Sequence, residues 1–449
     1  MPILSKLAYS LGFPVLTTNC YETLHTWNPD CNQAIIDTIP EGILFCLKVY
    51  APFYLTTSLI AKKGDVRRVD WIRYFRDVIR SSIFLNFNMI FFIFFLCRIR
   101  SVLGFFTPIS MGLVSSMIGS FFSLLIEKRS RWPALALYLT NLASETLFRQ
   151  LSNHGYIPKV KNAEVIPFVI GMGLFSHLYS TKKLESGAKK ALNLIHNPCK
   201  ERDIAEDYPV PKQFKAFLYD LRKEYGKSQL CEHRHSCVSN IAESFMSNFT
   251  FGIGLSSALV LLKNITILFK NPRKILEQLF SKSSLRIPTF FGLMPLIFHT
   301  VRCSMNRFPQ SGNTCRNIIA GAASGLAMLA FPNVAIAMYV MWKAIEIIFY
   351  DLVKQGKIRP LPYGDLLLYT VSTGYVLWQI IIEPQAIRKG YLKFLLGLTG
   401  NRMSLLNRDL YEHFGYQSRL LFPYRPVLNT KYVTINPMLY QPIAPCSGI

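Results

Sequence analysis

Ten apolar segments recur along the chain, each close to the length that a helix needs to cross the ~30 Å hydrocarbon core of a bilayer. In lipid the backbone has no water to bond with, and a helix satisfies its hydrogen bonds within the segment. The segments therefore predict an all-α, polytopic membrane protein. They cover approximately residues 39–61, 82–101, 105–126, 133–151, 164–180, 248–268, 284–303, 315–331, 333–353 and 364–383.

The composition and charge of the chain also favour a membrane location. Hydrophobic residues make up 51% of the 449 residues, charged residues only 17%, and the mean hydropathy is +0.25. The net charge of +24 comes largely from short basic runs beside apolar segments, such as 62–68, 127–131 and 270–274. Membrane topology and anionic lipid headgroups favour cations at span ends. We therefore expect membrane lipids as partners and no nucleic acid. The N-terminus lacks the pattern of a cleaved secretory signal.

The two halves of the sequence resemble each other at a shift of 201 residues. The shift aligns Tyr138 with Tyr339 and Glu145 with Glu346, and nine of the 25 positions from 134 to 158 are identical. Roughly two or three identities would be expected by chance between apolar segments. Each half then contains about five spans. If all five cross, the halves are inverted repeats, whereas an even number of crossings would make them parallel.

Composition suggests four regions. Residues 1–180 form a Cys/His-containing preface and the first membrane half, and 181–246 form a polar central segment. Residues 247–385 form the second membrane half, and 386–449 a C-terminal polar tail. Within the central segment, KQFKAFLYDLRKEYG has apolar residues at helical spacing. It predicts an amphipathic helix that lies on a membrane surface, docks on a partner, or packs on the rest of the protein.

Small residues line one face of the third span and of its repeat equivalent. Gly112 and Gly119 lie among serines in the third span, and Gly321 and Gly325 form a GxxxG motif in the eighth. Small residues let helix backbones approach closely in lipid, so we predict that these four glycines lie at helix contacts. A functional seam that lines a path is the alternative.

Cysteine and histidine cluster before each membrane half. Thiolate and imidazole are zinc ligands, and the two clusters could supply four ligands to one ion if the repeat symmetry brings them together. Zinc is then a candidate cofactor, although the sequence requires none. Disulfides and free structural thiols are the alternatives. The candidate ligands are Cys20, His25, Cys31 and Cys237, with His233 or His235 as the alternative imidazole.

Two carboxylates occupy equivalent positions inside predicted spans. Glu145 and Glu346 would be costly as isolated charges in lipid, so each should face the protein interior or a water-filled path. Arg149 follows Glu145 by four residues, and Lys343 precedes Glu346 by three. Intrahelical ion pairs, a polar pair at a transport site, and helix–helix hydrogen bonding are the three interpretations.

Several motifs resemble those of the transmembrane protein 135 family. They are NCYETLHTWNPDC (19–31), KVYAPFYL (48–55), LLIEKRSR (124–131), NLASETLFR (141–149) and YLKFLLGLTGNR (391–402), and the resemblance covers about residues 18–425. It implies a multi-pass protein of peroxisomal and mitochondrial membranes with a role in mitochondrial fission–fusion balance, peroxisome organisation and lipid metabolism. The small-residue spans are also similar to those of the Tim17/Tim22/Tim23 superfamily. The resemblance implies no catalytic residue.

No enzyme motif is present in the sequence, since it lacks a P-loop, a Rossmann glycine pattern, GxSxG and HExxH. Three non-enzymatic functions are left. The first is an organelle-membrane regulator that recruits fission machinery such as the dynamin-related GTPase, and the family resemblance favours it. The second is a conduit for lipid or another solute, which the repeat and the carboxylates favour. The third is a structural membrane organiser. The sequence does not determine an oligomeric state.

Overall fold

A computed structural model describes most of the chain, and the described part is helical. An isolated antiparallel bridge pairs Leu16 with Phe106, and no strand is present among the described residues. The prediction of an all-α fold is confirmed. The described residues are 3–12, 14–62, 64–158, 160–184, 186–196, 212–227, 229–231, 233, 235–264, 277–279, 281–307 and 312–434.

Each of the ten predicted spans contains a helix. In the third span a π-helical turn, Ile109–Leu113, precedes the α-helix. In the eighth span a 3₁₀ segment, Gly325–Leu329, follows the α-helix. In chain order the α-helices are Ile3–Ser10, Cys20–Thr23, Cys31–Ile36, Ile39–Ala61, Trp71–Leu103, Val114–Ile126, Trp132–Asn153, Val165–Ser180, Ser186–His196, Lys212–Glu224, Cys237–Lys263, Lys282–Arg307, Asn313–Ser324, Val334–Lys354, Gly364–Ile382, Lys389–Leu398 and Asp409–Glu412.

Among the described residues, five helical segments are long and apolar enough to cross a membrane. Val165–Ser180 is apolar but shorter, and the remaining predicted spans fall short in length or apolar composition. The polytopic membrane character is therefore confirmed, while the count of ten crossings stays a prediction. The five segments are Cys31–Ala61, Trp71–Leu103, Ile109–Ile126, Cys237–Leu262 and Gly364–Ile382.

Local sequence sets the ends of the longest helix, Trp71–Leu103. Asp70 is its N-cap and accepts a hydrogen bond from the backbone N of Arg73, and Gly104 ends it with φ 80°. A carboxylate satisfies the free N–H groups of a first turn, and glycine adopts the left-handed conformation without a Cβ clash. At 33 residues the helix is about 50 Å long, so it is longer than the hydrocarbon core is thick.

Helix positions repeat at the predicted shift. Trp132–Asn153 and Val334–Lys354 end 201 residues apart, and each is followed by a glycine with positive φ, Gly155 at 79° and Gly356 at 71°. The repeat in the sequence therefore corresponds to a repeat in local structure.

The chain forms two compact units, and each unit contains the fifth helix of the other sequence half. Unit 1 comprises residues 1–159 and 361–449, and unit 2 comprises 160–360. In unit 1, Gly364–Ile382 packs against Trp132–Asn153 and Val114–Ile126. In unit 2, Val165–Ser180 packs against Asn313–Ser324 and Val334–Lys354. The fifth helix of each sequence half thus belongs to the unit that the other half builds. The unit boundaries lie at other positions than the changes of composition at 180, 246 and 385.

The central segment and the C-terminal segment both contain packed elements. In Lys212–Glu224, Leu218 is fully buried and Arg222 forms an ion pair of 2.9 Å with Glu243 on the following helix. This amphipathic helix therefore packs on unit 2, and residues 197–211 of the central segment lie outside the described part. In the predicted polar tail, Arg408 and Tyr411 are almost completely buried. Tyr411 Oη donates to the carbonyl of Thr23, so the described tail is packed in unit 1.

Candidate metal centres and an apolar cavity

A first set of metal-binding side chains lies in unit 1. Cys20 begins helix Cys20–Thr23, whose N-cap Asn19 exchanges hydrogen bonds with Glu22, and Cys31 begins helix Cys31–Ile36. These caps fix the two thiols at helix starts. Cys97 lies near the end of Trp71–Leu103. The donor atoms of Cys20, His25, Cys31 and Cys97 all lie within 4.8 Å of one another.

A second set of the same composition lies in unit 2. Cys231 and His233 precede helix Cys237–Lys263, and Cys303 lies near the end of Lys282–Arg307. The donor atoms of Cys231, His233, Cys237 and Cys303 also lie within 4.8 Å of one another. Cys231 Sγ is 3.8 Å from Cys237 Sγ and 3.9 Å from Cys303 Sγ. Cys303 Sγ is 3.5 Å from Nε2 of His233.

Both imidazoles are oriented in the same way. Nδ1 of His25 is 2.7 Å from the carbonyl oxygen of Asn28, and Nδ1 of His233 is 2.7 Å from the carbonyl oxygen of His235. A ring that donates Nδ1–H to a carbonyl has its lone pair on Nε2. Each set can therefore offer three sulfurs and one Nε2.

The pKa values of the two imidazoles are shifted in opposite directions. Burial lowers the pKa of His233, as expected for an imidazole with little solvent around it. Burial acts in the same direction on His25, but hydrogen bonds with the thiols of Cys20 and Cys31 overcome it and raise the pKa of His25 to about 10. The sulfurs therefore stabilise a positive charge at this point, and the His25 ring must lose its second proton before Nε2 can bind an ion.

The structure groups the predicted ligands differently from one shared site. Cys20, His25 and Cys31 come together in unit 1, whereas Cys237 joins His233 in unit 2. His235 contributes its backbone carbonyl to the ring of His233, and its side chain is outside the set. The reason is that a distant helix of the same unit completes each set, which clustering in the sequence does not reveal.

Sequence reasoning missed Cys97, Cys231 and Cys303 as ligands. A signal for two of them existed, because Cys97 and Cys303 lie 206 residues apart, as do Cys31 and Cys237. Because Cys97 and Cys303 lie inside predicted spans, far along the chain from the two clusters, clustering in the sequence does not reveal them.

The four predicted packing glycines lie at helix contacts. A Cβ on Gly119 would lie 2.9 Å from the backbone N of Phe92, and one on Gly325 would lie 2.6 Å from Cα of Val169. A Cβ on Gly112 would meet Trp378 at 2.9 Å, and one on Gly321 would meet Ser176. Each contact is with a neighbouring helix of the same unit, so these helices pack at a distance that only glycine allows.

The two carboxylates differ in their surroundings. Glu145 is buried and accepts from Arg149 at 2.6 Å and from Arg388 Nε at 2.8 Å. Glu346 is half-buried and pairs with Lys343. Glu145 lies in unit 1 and Glu346 in unit 2, and each has cations of its own unit. They form separate ion pairs, and the structure adds Arg388 to the partner expected for Glu145.

An apolar cavity of about 720 Å³ lies inside unit 1. Three arginines reach its wall, and each is paired with a carboxylate: Arg131 with Glu127, Arg388 with Glu145, and Arg402 with Glu41. The wall is therefore mostly apolar, with His25 as a further basic side chain in the lining. The volume is in the range of small-molecule sites. The cavity is lined by side chains of Ile39–Ala61, Trp71–Leu103, Trp132–Asn153, Gly364–Ile382 and Lys389–Leu398.

Comparison with known proteins identifies the N-terminal part of the chain. Residues 17–151 match the family model described as the N-terminal cysteine-rich region of Transmembrane protein 135. The match contains all four side chains of the first metal-binding set. No solved structure matches the chain. The similarity to the Tim17/Tim22/Tim23 superfamily stays a prediction.

Proposed function

Since the chain belongs, through residues 17–151, to the transmembrane protein 135 family, we propose that it is a non-enzymatic regulator in peroxisomal and mitochondrial membranes. Its role would be in mitochondrial fission–fusion balance and peroxisome organisation, with a link to lipid metabolism. The family match carries this proposal, and the five described helices that are long and apolar enough to cross a membrane agree with a protein that resides permanently in a bilayer.

A regulator of fission acts by presenting a surface to soluble machinery, here the dynamin-related fission GTPase. Helix Lys212–Glu224 is the candidate surface, because it buries Leu218 against unit 2 and leaves Phe217 and Tyr219 about half exposed. Aromatic side chains on an exposed face are common at protein interfaces.

Localisation tests the first part of the proposal. A tagged copy should colocalise with both peroxisomal and mitochondrial markers, and its removal should change mitochondrial length and peroxisome number. A tagged protein found only in the endoplasmic reticulum or plasma membrane would contradict the proposal. Replacing Phe217 and Tyr219 by serine should reduce recruitment of the GTPase while leaving localisation unchanged.

A second candidate function, a binding site or conduit for lipid, is favoured by the cavity of unit 1. Its apolar lining and ion-paired arginines suit an acyl chain or sterol better than an anionic solute, because each of the three arginines there is already paired with a carboxylate. The buried Glu145 is held by two arginines, so it supports the structure of the wall more than the passage of a charge.

A cavity-filling variant tests this second function. Gly390 is an exposed residue of the cavity lining, and a Cβ there has open space, so Gly390→Trp should narrow the cavity without a backbone clash. Gly254, a helical glycine of unit 2 that also has open space, provides the matched control Gly254→Trp. Mass spectrometry of the purified protein should show less bound lipid in Gly390→Trp than in the control. Equal lipid in both would contradict lipid binding in this cavity.

A further inference from the structure

We propose that each unit holds one structural zinc ion in a closed tetrahedral site built from three cysteines and one histidine. This goes beyond the proposed function, which requires no metal. The ligands are Cys20, His25, Cys31 and Cys97 in unit 1, and Cys231, His233, Cys237 and Cys303 in unit 2.

The distances between the donor atoms match those around a zinc ion. Zinc binds sulfur at ~2.3 Å and imidazole nitrogen at ~2.0–2.1 Å, so a tetrahedron has sulfur–sulfur edges of about 3.8 Å and slightly shorter sulfur–nitrogen edges. In unit 2 two of the three sulfur–sulfur distances are 3.8 and 3.9 Å, and Cys303 Sγ is 3.5 Å from His233 Nε2. Four donors within 4.8 Å surround one ion, whereas a cluster of several metal ions spreads its ligands further apart.

A disulfide does not explain these distances. A bonded pair of sulfurs is ~2.05 Å apart, and only two cysteines take part in it. In each unit three thiols and an imidazole converge on one point, and all of the cysteines concerned are unbonded. Most of these side chains are buried, although burial in apolar surroundings would not by itself bring three thiols together.

Groups around the ligands act as expected of the outer shell of a metal site. Each histidine has its Nδ1 on a backbone carbonyl at 2.7 Å, which leaves Nε2 for the ion. Asn306 Nδ2 donates to Cys231 Sγ at 3.4 Å, and such a donor stabilises a thiolate. Metal-bound histidines usually donate their other nitrogen in this way, which fixes the orientation of the ring.

The two sets occupy equivalent places in the repeat. Cys31 and Cys237 lie at the start of a long apolar segment, and Cys97 and Cys303 lie near the end of the helix that follows it. Both pairs are separated by 206 residues, five more than the shift of 201 that aligns the later helices. An accidental meeting of four metal-binding side chains is not expected twice at the same positions of a repeat.

The position of the sites indicates what the ions do. In each unit the ion would join a short polar segment and the start of one helix to the end of the next, so that two neighbouring helices are crosslinked at one end. All four ligands come from the protein, and this leaves no open position for a substrate. The ions would therefore stabilise the fold, as crosslinks absent from the unfolded chain.

Metal analysis of the purified full-length protein in detergent tests the proposal. Protein prepared without chelator should contain two zinc ions per chain. Cys97→Ser and Cys303→Ser should each contain one, and the double variant none. Cys315→Ser, which replaces an exposed cysteine outside both sets, should keep two. His233→Cys should also keep two, because zinc accepts four thiolates as well.

Three outcomes would overturn the proposal. They are folded protein without metal, iron or copper in place of zinc, and two zinc ions retained in both Cys97→Ser and Cys303→Ser. If a serine variant does not fold, thermal unfolding of the wild type decides: incubation with a strong chelator should lower its Tm, and added zinc should restore it. An unchanged Tm after chelation with no zinc released would also refute the proposal. None of these results depends on the cellular role.

Discussion

Gly119→Ala should destabilise the protein although alanine is the better helix former. Gly119 lies inside helix Val114–Ile126 and does not have positive φ, so its conformation alone does not require glycine. A Cβ there would lie 2.9 Å from the backbone N and 3.3 Å from Cα of Phe92, and 3.1 Å from the backbone C of Phe91. These are backbone atoms of helix Trp71–Leu103, so no side-chain rotation relieves the contact and the two helices must separate.

The magnitude follows from two opposing terms. Alanine in place of glycine in a helix interior contributes about 1 kcal/mol of stability. Overpacking a tight contact costs ~1–3 kcal/mol, and the upper part of that range applies where backbone atoms are in contact. Gly254→Ala has only the first term, because a Cβ at Gly254 has no atom within 4 Å. Gly119→Ala should therefore be less stable than Gly254→Ala by about 1–3 kcal/mol.

A graded series measures this difference. Equilibrium unfolding in mixed micelles, followed by circular dichroism, would be compared for Gly119→Ala, Gly173→Ala and Gly254→Ala. The Cβ of Gly173→Ala would approach Ala322 at 3.4 Å, an ordinary contact, so this variant should lie between the other two. Equal free energies of unfolding for all three would refute the conclusion that backbone contact at Gly119 limits the distance between the helices.

Three further predictions follow from the fold. Glu145→Gln should destabilise the protein by roughly 3–5 kcal/mol, because Arg388 loses a buried partner. Glu346→Gln removes a half-exposed pair and should cost at most about 1 kcal/mol. Chemical unfolding of the two variants measures the difference. Alkaline carbonate should leave the protein in the membrane pellet, and its release into the supernatant would contradict the membrane assignment. Epitopes inserted after Gly155 and after Gly356 should be accessible from opposite sides of the membrane if each half crosses five times, and access from one side would indicate a parallel repeat.

The sequence by itself determined the helical class, the membrane character and the repeat. The reason is that span length, hydropathy and helix capping are local properties. An apolar segment of spanning length must be helical in a bilayer, because its backbone groups have no water to bond with. Small residues at helical spacing likewise indicated the packing faces. Residue size is known from the sequence, whereas the neighbouring helix is not. The i+4 pair of Glu145 and Arg149 was predicted for the same local reason.

Only the tertiary structure decided which distant parts meet. Arg388 reaches Glu145 across 243 residues of sequence, and the cavity forms between helices from both ends of the chain. The fifth helix of each half packs in the unit of the other half, which no local property indicates. The same holds for the metal-binding sets, where Cys97 and Cys303 come from helices 66 residues after Cys31 and Cys237. Clustering in the sequence identified three ligands of the first set and two of the second. Chain folding supplies the remaining ligands, because contacts between helices depend on packing that composition does not encode.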